Sequence, residues 1–230
     1  AIAVGNYAGY QSQGSYSIAI GYDSGNYSES GTVAIGDSAG YNYLKTDSVA
    51  IGTNSQYGGN GYAAISVGAY SGEYNQNDYS VAVGYNAGNN GLGYRSVAMG
   101  YRAAMDGSAS YTVAIGDSAG RAEPAEGAIA IGRNAGYAAA NYSVAVGYNA
   151  GWDDGSPLGA YQVAIGAYAA AGYGHDNSIV LNATGDYFDA TESGLFIKPV
   201  RYTERQDYAD DGLMFYNQST GEVRYSYVLD

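Results

Sequence analysis

Residues 112–116, Thr112-Val113-Ala114-Ile115-Gly116, are one of twelve near-copies of a single phrase in the first 185 residues of the chain. The phrase consists of a small residue, Val or Ile, Ala, Ile or Val, and Gly. Successive copies lie 16 residues apart, with two spacings of 15 and one of 19. The closing position is held by Gly5, Gly21, Gly36, Gly52, Gly68, Gly84, Gly100, Gly116, Gly132, Gly147, Gly166 and, in the twelfth copy, Asn182. A fixed short period of this kind predicts a solenoid.

The phrase itself predicts a short β-strand with two different faces. Side chains alternate along a strand, so Val113 and Ile115 point one way and Ala114 points the other. We interpret the Val/Ile face as the core. The opposite face is Ala in ten copies, with Ser66 and Val180 as the exceptions. A solvent face would vary more, so this one is expected to pack closely against something.

Each glycine of the phrase is followed by a corner. Asp37-Ser38-Ala39-Gly40 is typical, and Gly and Asn accept the left-handed backbone that tight corners require. A rung of about 16 residues is therefore predicted to run as strand, corner, short second strand and return. About twelve stacked rungs at ~4.8 Å each give an all-β parallel β-roll about 55 Å long.

Composition excludes several classes of function. The net charge is −13, and the nine Lys and Arg are scattered, which argues against binding nucleic acid or an anionic membrane. The chain has no Cys, which excludes disulfides and thiol chemistry, and it has no 18-residue apolar run, so no membrane insertion is expected. Because Ala1 already lies inside the first phrase, we expect the chain to be part of a longer polypeptide or a processed product.

A shift in composition near residue 185 predicts two modules, a repeat domain over residues 1–185 and a β-rich cap over residues 186–230. All three Phe lie beyond this point, together with only three of the 36 Gly. Residues 195–200 look like a strand, in which Pro199 favours an edge position. Residues 213–216 and 222–227 look like a hairpin. The cap is expected to close the open end of the roll.

Two resemblances refine this prediction. The phrase Ser-Val-Ala-Ile-Gly over residues 1–184 resembles the head repeat of trimeric autotransporter adhesins, although the period there is shorter and the neck and stalk of that family do not follow here. The resemblance implies three left-handed rolls about one axis, with the small residues facing the partner subunits. The implied trimer-packing residues are Ala50, Ala82, Ala98, Ala114, Ala130 and Ala145.

The C-terminal region resembles tail fibres of tailed phages and fibres of large aquatic viruses. The matching segments are residues 177–185, 194–201, 213–217 and 219–223. This resemblance implies a virion component that carries a self-cleaving chaperone after the fibre, and other fibre or virion proteins as partners.

No catalytic, cofactor or metal site emerges from the residues. A Ser-His-Asp triad could only use His175, the single histidine, and clusters of Cys and His for zinc are missing. Glycoside hydrolysis needs two nearby carboxylates, such as Glu123 with Glu126, Asp153 with Asp154 or Asp210 with Asp211. An acidic surface offers such pairs by chance, so we expect no enzyme and no cofactor.

One longer rung suggests where a ligand could bind. The insertion between Gly147 and Gly166 contains Trp152, the only tryptophan, followed by Asp153 and Asp154. An exposed Trp beside carboxylates could hold a glycan or another receptor. Alternatively, Trp152 folds back as a local core. The role of the tyrosines around the phrase has two alternatives as well, because they could form stacked ladders or a receptor-binding stripe.

The sequence therefore predicts a non-enzymatic homotrimeric fibre segment that attaches a virus to a host receptor or glycan. The first alternative is the head of a bacterial trimeric surface adhesin, and the second is a structural extracellular filament. The predicted location is the virion in the first case and the cell surface or extracellular space in the others.

Overall fold

A computed structural model describes residues 1–152, 158–172, 174–200, 212–217 and 222–227. These residues form strands and turns, and none of them lies in a helix. The chain divides into two compact units, Ala1–Pro199 and Val200–Asp230.

The first unit is built on one parallel sheet of thirteen strands. Each copy of the phrase supplies one strand, and each strand pairs with the next copy so that Ala lies beside Ala, as in Ala82 beside Ala98. The predicted β-roll of about twelve turns with roughly 16-residue spacing is confirmed. The strands are β1 (Ile2–Val4), β2 (Ile18–Ile20), β3 (Val33–Ile35), β4 (Val49–Ile51), β6 (Ile65–Val67), β8 (Val81–Val83), β9 (Val97–Met99), β10 (Val113–Ile115), β11 (Ile129–Ile131), β12 (Val144–Val146), β13 (Val163–Ile165), β14 (Ser178–Asn182) and β15 (Gly194–Lys198).

The glycine that closes each phrase is required by the stacking of the rungs. Gly84 has φ +127°, and a Cβ added there would lie 2.4 Å from the carbonyl oxygen of Gly100 on the next rung. A Cβ at Gly100 would lie 2.4 Å from the carbonyl oxygen of Gly116. The backbone therefore turns at each glycine where only a hydrogen atom fits between successive rungs.

The return side of the roll, from the corner to the next phrase, consists mostly of turns instead of the predicted second strand. Strands on this side are confined, among the described residues, to β5 (Gly58–Asn60) and β7 (Tyr74–Gln76), which pair in parallel. Elsewhere the backbone still bonds between rungs, as in Gly88 N–H to Ala103 O at 2.8 Å and Asn90 N–H to Met105 O at 3.0 Å. These bonds satisfy the backbone without extended geometry.

The core lies behind the Ala face, so the predicted assignment of the two faces is wrong. Ala34 and Ala50 have no exposed surface and pack with Ala39 and Leu44 of the return side. A Cβ added at Gly136, in the corner after β11, would lie 3.0 Å from the Cβ of Ala130. Because the corner glycine leaves room there only for a methyl group, a Val or Ile side chain does not fit inward at such a rung.

The sheet continues past residue 185 and ends in aromatic side chains. Strand β15 pairs with β14 in the register Val180 beside Phe196, and it is the last strand of the sheet, in agreement with the edge position expected from Pro199. Phe188 and Phe196 pack against the end of the alanine core. The inward side chain of successive strands thus becomes larger, from Ala164 to Val180 to Phe196, and Phe196 covers the last rung.

The second unit contains the predicted hairpin strands. β16 (Gly212–Asn217) and β17 (Glu222–Tyr227) pair antiparallel, with Phe215 beside Arg224. The residues of the predicted connection, 218–221, lie outside the described part of the chain.

Candidate functional site

The outward side of the thirteen-stranded sheet is an apolar surface, which we call the aliphatic face. It consists of two parallel columns, because each strand contributes two outward side chains and the register keeps them aligned. All 26 positions are Val, Ile, Leu or Met, and none carries a charge. The first column is Ile2, Ile18, Val33, Val49, Ile65, Val81, Val97, Val113, Ile129, Val144, Val163, Ile179 and Leu195; the second is Val4, Ile20, Ile35, Ile51, Val67, Val83, Met99, Ile115, Ile131, Val146, Ile165, Leu181 and Ile197.

Much of this face is open to solvent in the single chain. Met99 is 41% exposed, Ile115 37% and Ile165 43%, and the remaining members are half-buried or exposed. A strip of thirteen strands at ~4.8 Å, two side chains wide, measures about 58 Å by about 12 Å, or roughly 700 Å². The largest apolar patch on a typical soluble monomer covers about 300–600 Å², so this strip has the size of an interaction surface.

The six alanines predicted to pack against partner chains do not lie on this face. They are fully buried by their own chain, so they cannot contact another subunit. Their small size reflects the narrow interior of the roll and not the closeness of a partner. These residues are Ala50, Ala82, Ala98, Ala114, Ala130 and Ala145.

Tyrosines border the aliphatic face at both ends of the strands. Before the phrase, Tyr142 stacks on Tyr161 at 5.5 Å between ring centroids, and after the glycine, Tyr85 stacks on Tyr101 at 5.6 Å. These contacts join neighbouring rungs in pairs, which is a local form of the ladder alternative. The members of the two rows are nevertheless 41–90% exposed, so they also extend the accessible surface. The rows are Tyr16, Tyr79, Tyr111, Tyr142 and Tyr161, and Tyr22, Tyr85, Tyr101 and Tyr148.

Most cations on the roll lie over aromatic rings. The guanidinium of Arg102 lies 4.8 Å from the ring centre of Tyr101, and that of Arg95 lies 4.7 Å from Tyr94. Ion pairs are few and long, such as Arg133 Nε to Asp117 Oδ2 at 3.9 Å. In the described residues of the first unit, no carboxylate lies on the uncharged aliphatic face.

The predicted ligand residues of the long rung are only partly described. Trp152 is half-buried, and its backbone N–H donates to the carbonyl oxygen of Asn149 at 3.4 Å. Asp153 and Asp154 lie outside the described residues. The glycan or receptor contact at these three residues remains a prediction.

Groups for catalysis or metal binding do not converge in the described residues. His175 directly precedes a turn, and its carbonyl oxygen accepts from Ser178 Oγ at 2.7 Å. No group of three or more His, Cys, Asp or Glu is close enough to hold a metal ion in the part of the chain that the structure describes. Over the same residues there is no helix that is long and apolar enough to span a membrane.

Comparison with known proteins supports one of the two resemblances. The family model of the YadA head domain repeat matches residues 124–150 in two copies, which covers strands β11 and β12 and their phrases. No curated protein and no solved structure matches the chain. The chain is thus similar to an adhesin head repeat, whereas the tail-fibre resemblance of the C-terminal region has no support.

Sequence reasoning missed the aliphatic face as a surface. The signal lay in the corners, where a pair of small residues recurs with the same period as the Ala of the phrase. Examples are Ala39-Gly40, Ala87-Gly88 and Ala135-Gly136. Small residues on both sides of a roll face each other across a narrow interior. The bulky residues of the strand must then point outward.

Proposed function

We propose that the chain is the head domain of a trimeric surface adhesin, in which three rolls pack their aliphatic faces together about a common axis. The observation that carries the proposal is the uninterrupted aliphatic face over thirteen strands. At roughly 700 Å² per chain, which a trimer shares between two neighbours, it exceeds the ~300–600 Å² of the largest apolar patch on a typical soluble monomer. The adhesin head repeat matched over residues 124–150 supports the assignment to an adhesin head.

The charge distribution favours association through this face. A net charge of −13 per chain opposes the approach of copies in general, but no charged side chain lies in the two columns. Burial of the columns removes aliphatic area from water without desolvating an ion, and this is the favourable case for assembly. The negative corners and return sides stay in solvent.

In this proposal the head lies on the cell surface or outside the cell and attaches to a host surface without catalysis. Three copies of each lateral contact would act together, so weak individual contacts add up to firm adhesion. The sequence-based prediction of a viral tail fibre with other virion proteins as partners is not favoured, because the comparisons support its adhesin-head alternative.

The assembly is tested by placing charges in the middle of the aliphatic face. We expect Val81→Lys, Val97→Lys and Val113→Lys together to yield a folded monomer, since three adjacent charges would have to be buried between subunits. Sedimentation should give three times the 23.8-kDa chain mass for the wild type and one chain mass for the variant. Attachment to host cells should fall with the loss of the trimer.

A control in the same strands separates assembly from folding. Ala82→Leu, Ala98→Leu and Ala114→Leu enlarge side chains in the fully buried interior, so this variant should lose its β circular-dichroism signal instead of forming a folded monomer. A monomeric wild type, or a lysine variant that stays trimeric, would contradict the proposal.

A further inference from the structure

A groove on the return side of the roll combines stacked tyrosines with fixed polar groups. It has a volume of about 480 Å³ and crosses the rungs that precede strands β2, β3 and β4. Its side chains are those of Ser12, Tyr27, Ser28, Glu29, Ser30, Tyr43 and Thr46. None of them belongs to the aliphatic face, so the groove and the proposed subunit interface can be used at the same time.

We propose that this groove binds a neutral pyranose oligosaccharide. The inference rests on the proposed adhesin function and names the chemical class of its ligand. Pyranose rings offer an apolar C–H face and a rim of hydroxyl groups, so they require an aromatic surface beside hydrogen-bonding groups. The groove supplies both within a space of the size of a small-molecule site.

The aromatic surface is a stacked pair of tyrosines. The rings of Tyr27 and Tyr43 lie 5.1 Å apart at 18°, and the Tyr27 hydroxyl donates to Gln11 Oε1. Tyr43 is 63% exposed. The stack therefore fixes ring orientation while leaving aromatic surface accessible from the groove, which lowers the entropy cost of binding.

Glu29, which also lines the groove, provides a fixed acceptor. Its Oε2 accepts from the Thr46 backbone N–H at 3.0 Å and from Thr46 Oγ1 at 2.8 Å, and its Oε1 lies 3.9 Å from Lys45 Nζ. The hydrogen bonds from Thr46 lower the pKa of Glu29, with a smaller contribution from Lys45. The carboxylate thus stays charged and oriented, with acceptor capacity left on Oε1 for a sugar hydroxyl.

The same carboxylate selects against acidic sugars. A sialylated or sulfated glycan would bring a second negative charge beside Glu29, on a chain of net charge −13. Lys45, the nearby cation, lies against Glu29 and over the ring of Tyr62 at 5.0 Å. Charge therefore favours a neutral ligand.

A second groove, several rungs further along the roll, serves as an internal comparison. It has a volume of about 370 Å³ and is lined by Asn90, Asp106, Ser108, Glu123 and Pro124 together with Gly91, Gly107, Ala109 and Ala125. It has carboxylates and a hydroxyl but no aromatic ring. We expect it to bind no sugar, since the polar groups alone compete poorly with water.

The test uses purified trimer of the 230-residue chain. The probes are lactose, diacetylchitobiose and sialyllactose. Binding is measured by calorimetric titration and by saturation transfer from protein to sugar protons. We expect a neutral probe to bind and sialyllactose to bind at least tenfold more weakly. Tyr43→Asn should abolish binding, and Glu29→Gln should weaken it about tenfold, the effect of losing one hydrogen bond to a charged group.

Tyr161→Asn is the matched control. Tyr161 is 59% exposed, stacks on Tyr142 and has φ +57°, against φ +56° for Tyr43, and Asn accepts such a backbone in both places. This variant should bind like the wild type. Sedimentation of each protein distinguishes a failed site from a failed assembly.

Absence of binding by a trimeric wild type, stronger binding of sialyllactose, or equal loss in the Tyr43 and Tyr161 variants would overturn the glycan proposal and leave the adhesin proposal standing. If Tyr43→Asn fails to fold, the wild-type titrations and Glu29→Gln decide the question.

Discussion

At the scale of the residue, stacking imposes the strictest demand on the glycines that close each phrase. The Gly84 site combines a positive φ with a neighbouring carbonyl oxygen 2.4 Å from any added Cβ. Both effects act in the folded state, since the unfolded chain accepts Ala without strain. A side chain here forces two rungs apart or rotates the backbone.

Gly84→Ala should therefore lower the free energy of unfolding by about 2 kcal/mol or more, measured by denaturant titration. Gly58→Ala is the control, because a Cβ there would meet only Tyr74 Cδ1 at an ordinary 3.7 Å. That change should stay within about 0.5 kcal/mol of the wild type. Equal effects of the two substitutions would show that the close approach at Gly84 does not limit stacking.

Left-handed tyrosines are the residue-level feature that the sequence did not indicate. Tyr43, Tyr111 and Tyr161 have φ near +60°, a conformation that costs a bulky residue about 1–2 kcal/mol. Gly and Asn at the corners predict such a backbone, whereas Tyr does not. The backbone bonds between rungs, such as Tyr111 N–H to Tyr94 O at 2.9 Å, hold these residues in place.

At the scale of the element, the repeated phrase predicted every strand of the parallel sheet through β14 but not which face is inside. Alternation places Val113 and Ile115 on one face and Ala114 on the other, but it does not show which face becomes the interior of the roll. The corner decides, because Gly120 brings the backbone so close that an added Cβ would lie 3.2 Å from the Cβ of Ala114. The second strand was predicted wrongly for the related reason that the return side is held by bonds between rungs and not by extended geometry.

Three leucines on the return side are buried in the interior of the roll. Leu44 and Leu92 are fully buried and Leu158 is 2% exposed. A Cβ added at Gly88 would lie 3.2 Å from the Cβ of Leu92, so this side chain spans the gap between corner and strand. In an interior made mostly of small side chains, each leucine supplies much of the local apolar contact.

Leu92→Ala should cost about 2–5 kcal/mol in the free energy of unfolding, because the surrounding alanines cannot collapse into the cavity. The measurement is made in the Val81, Val97 and Val113 lysine variant, so that subunit contacts do not contribute. Leu195→Ala, at a position that is 57% exposed, should cost less than about 1 kcal/mol there. A small effect at Leu92 would mean that the interior is more adaptable than its contacts indicate.

At the scale of the whole molecule, the aliphatic face links folding to assembly. A lone roll would leave 26 outward aliphatic residues in contact with water, as most of them are in the single chain. If three rolls cover these faces, the folded state is the trimer, and its stability depends on the concentration of the chain. The repeat sequence predicted that the roll packs against partner chains, and a stability that depends on concentration would confirm that prediction. It assigned the partners to the wrong face of the strands.

The melting temperature should therefore rise with protein concentration. For a trimer that unfolds to three chains, each tenfold dilution removes about 2.7 kcal/mol of stability per trimer, two factors of ten in mass action. Thermal unfolding followed by circular dichroism over a hundredfold range of concentration should show the shift in the wild type. The triple lysine variant should melt at one temperature throughout, because its face no longer associates. A constant wild-type melting temperature, combined with a monomeric mass, would mean that the aliphatic face is covered by something other than copies of the same chain.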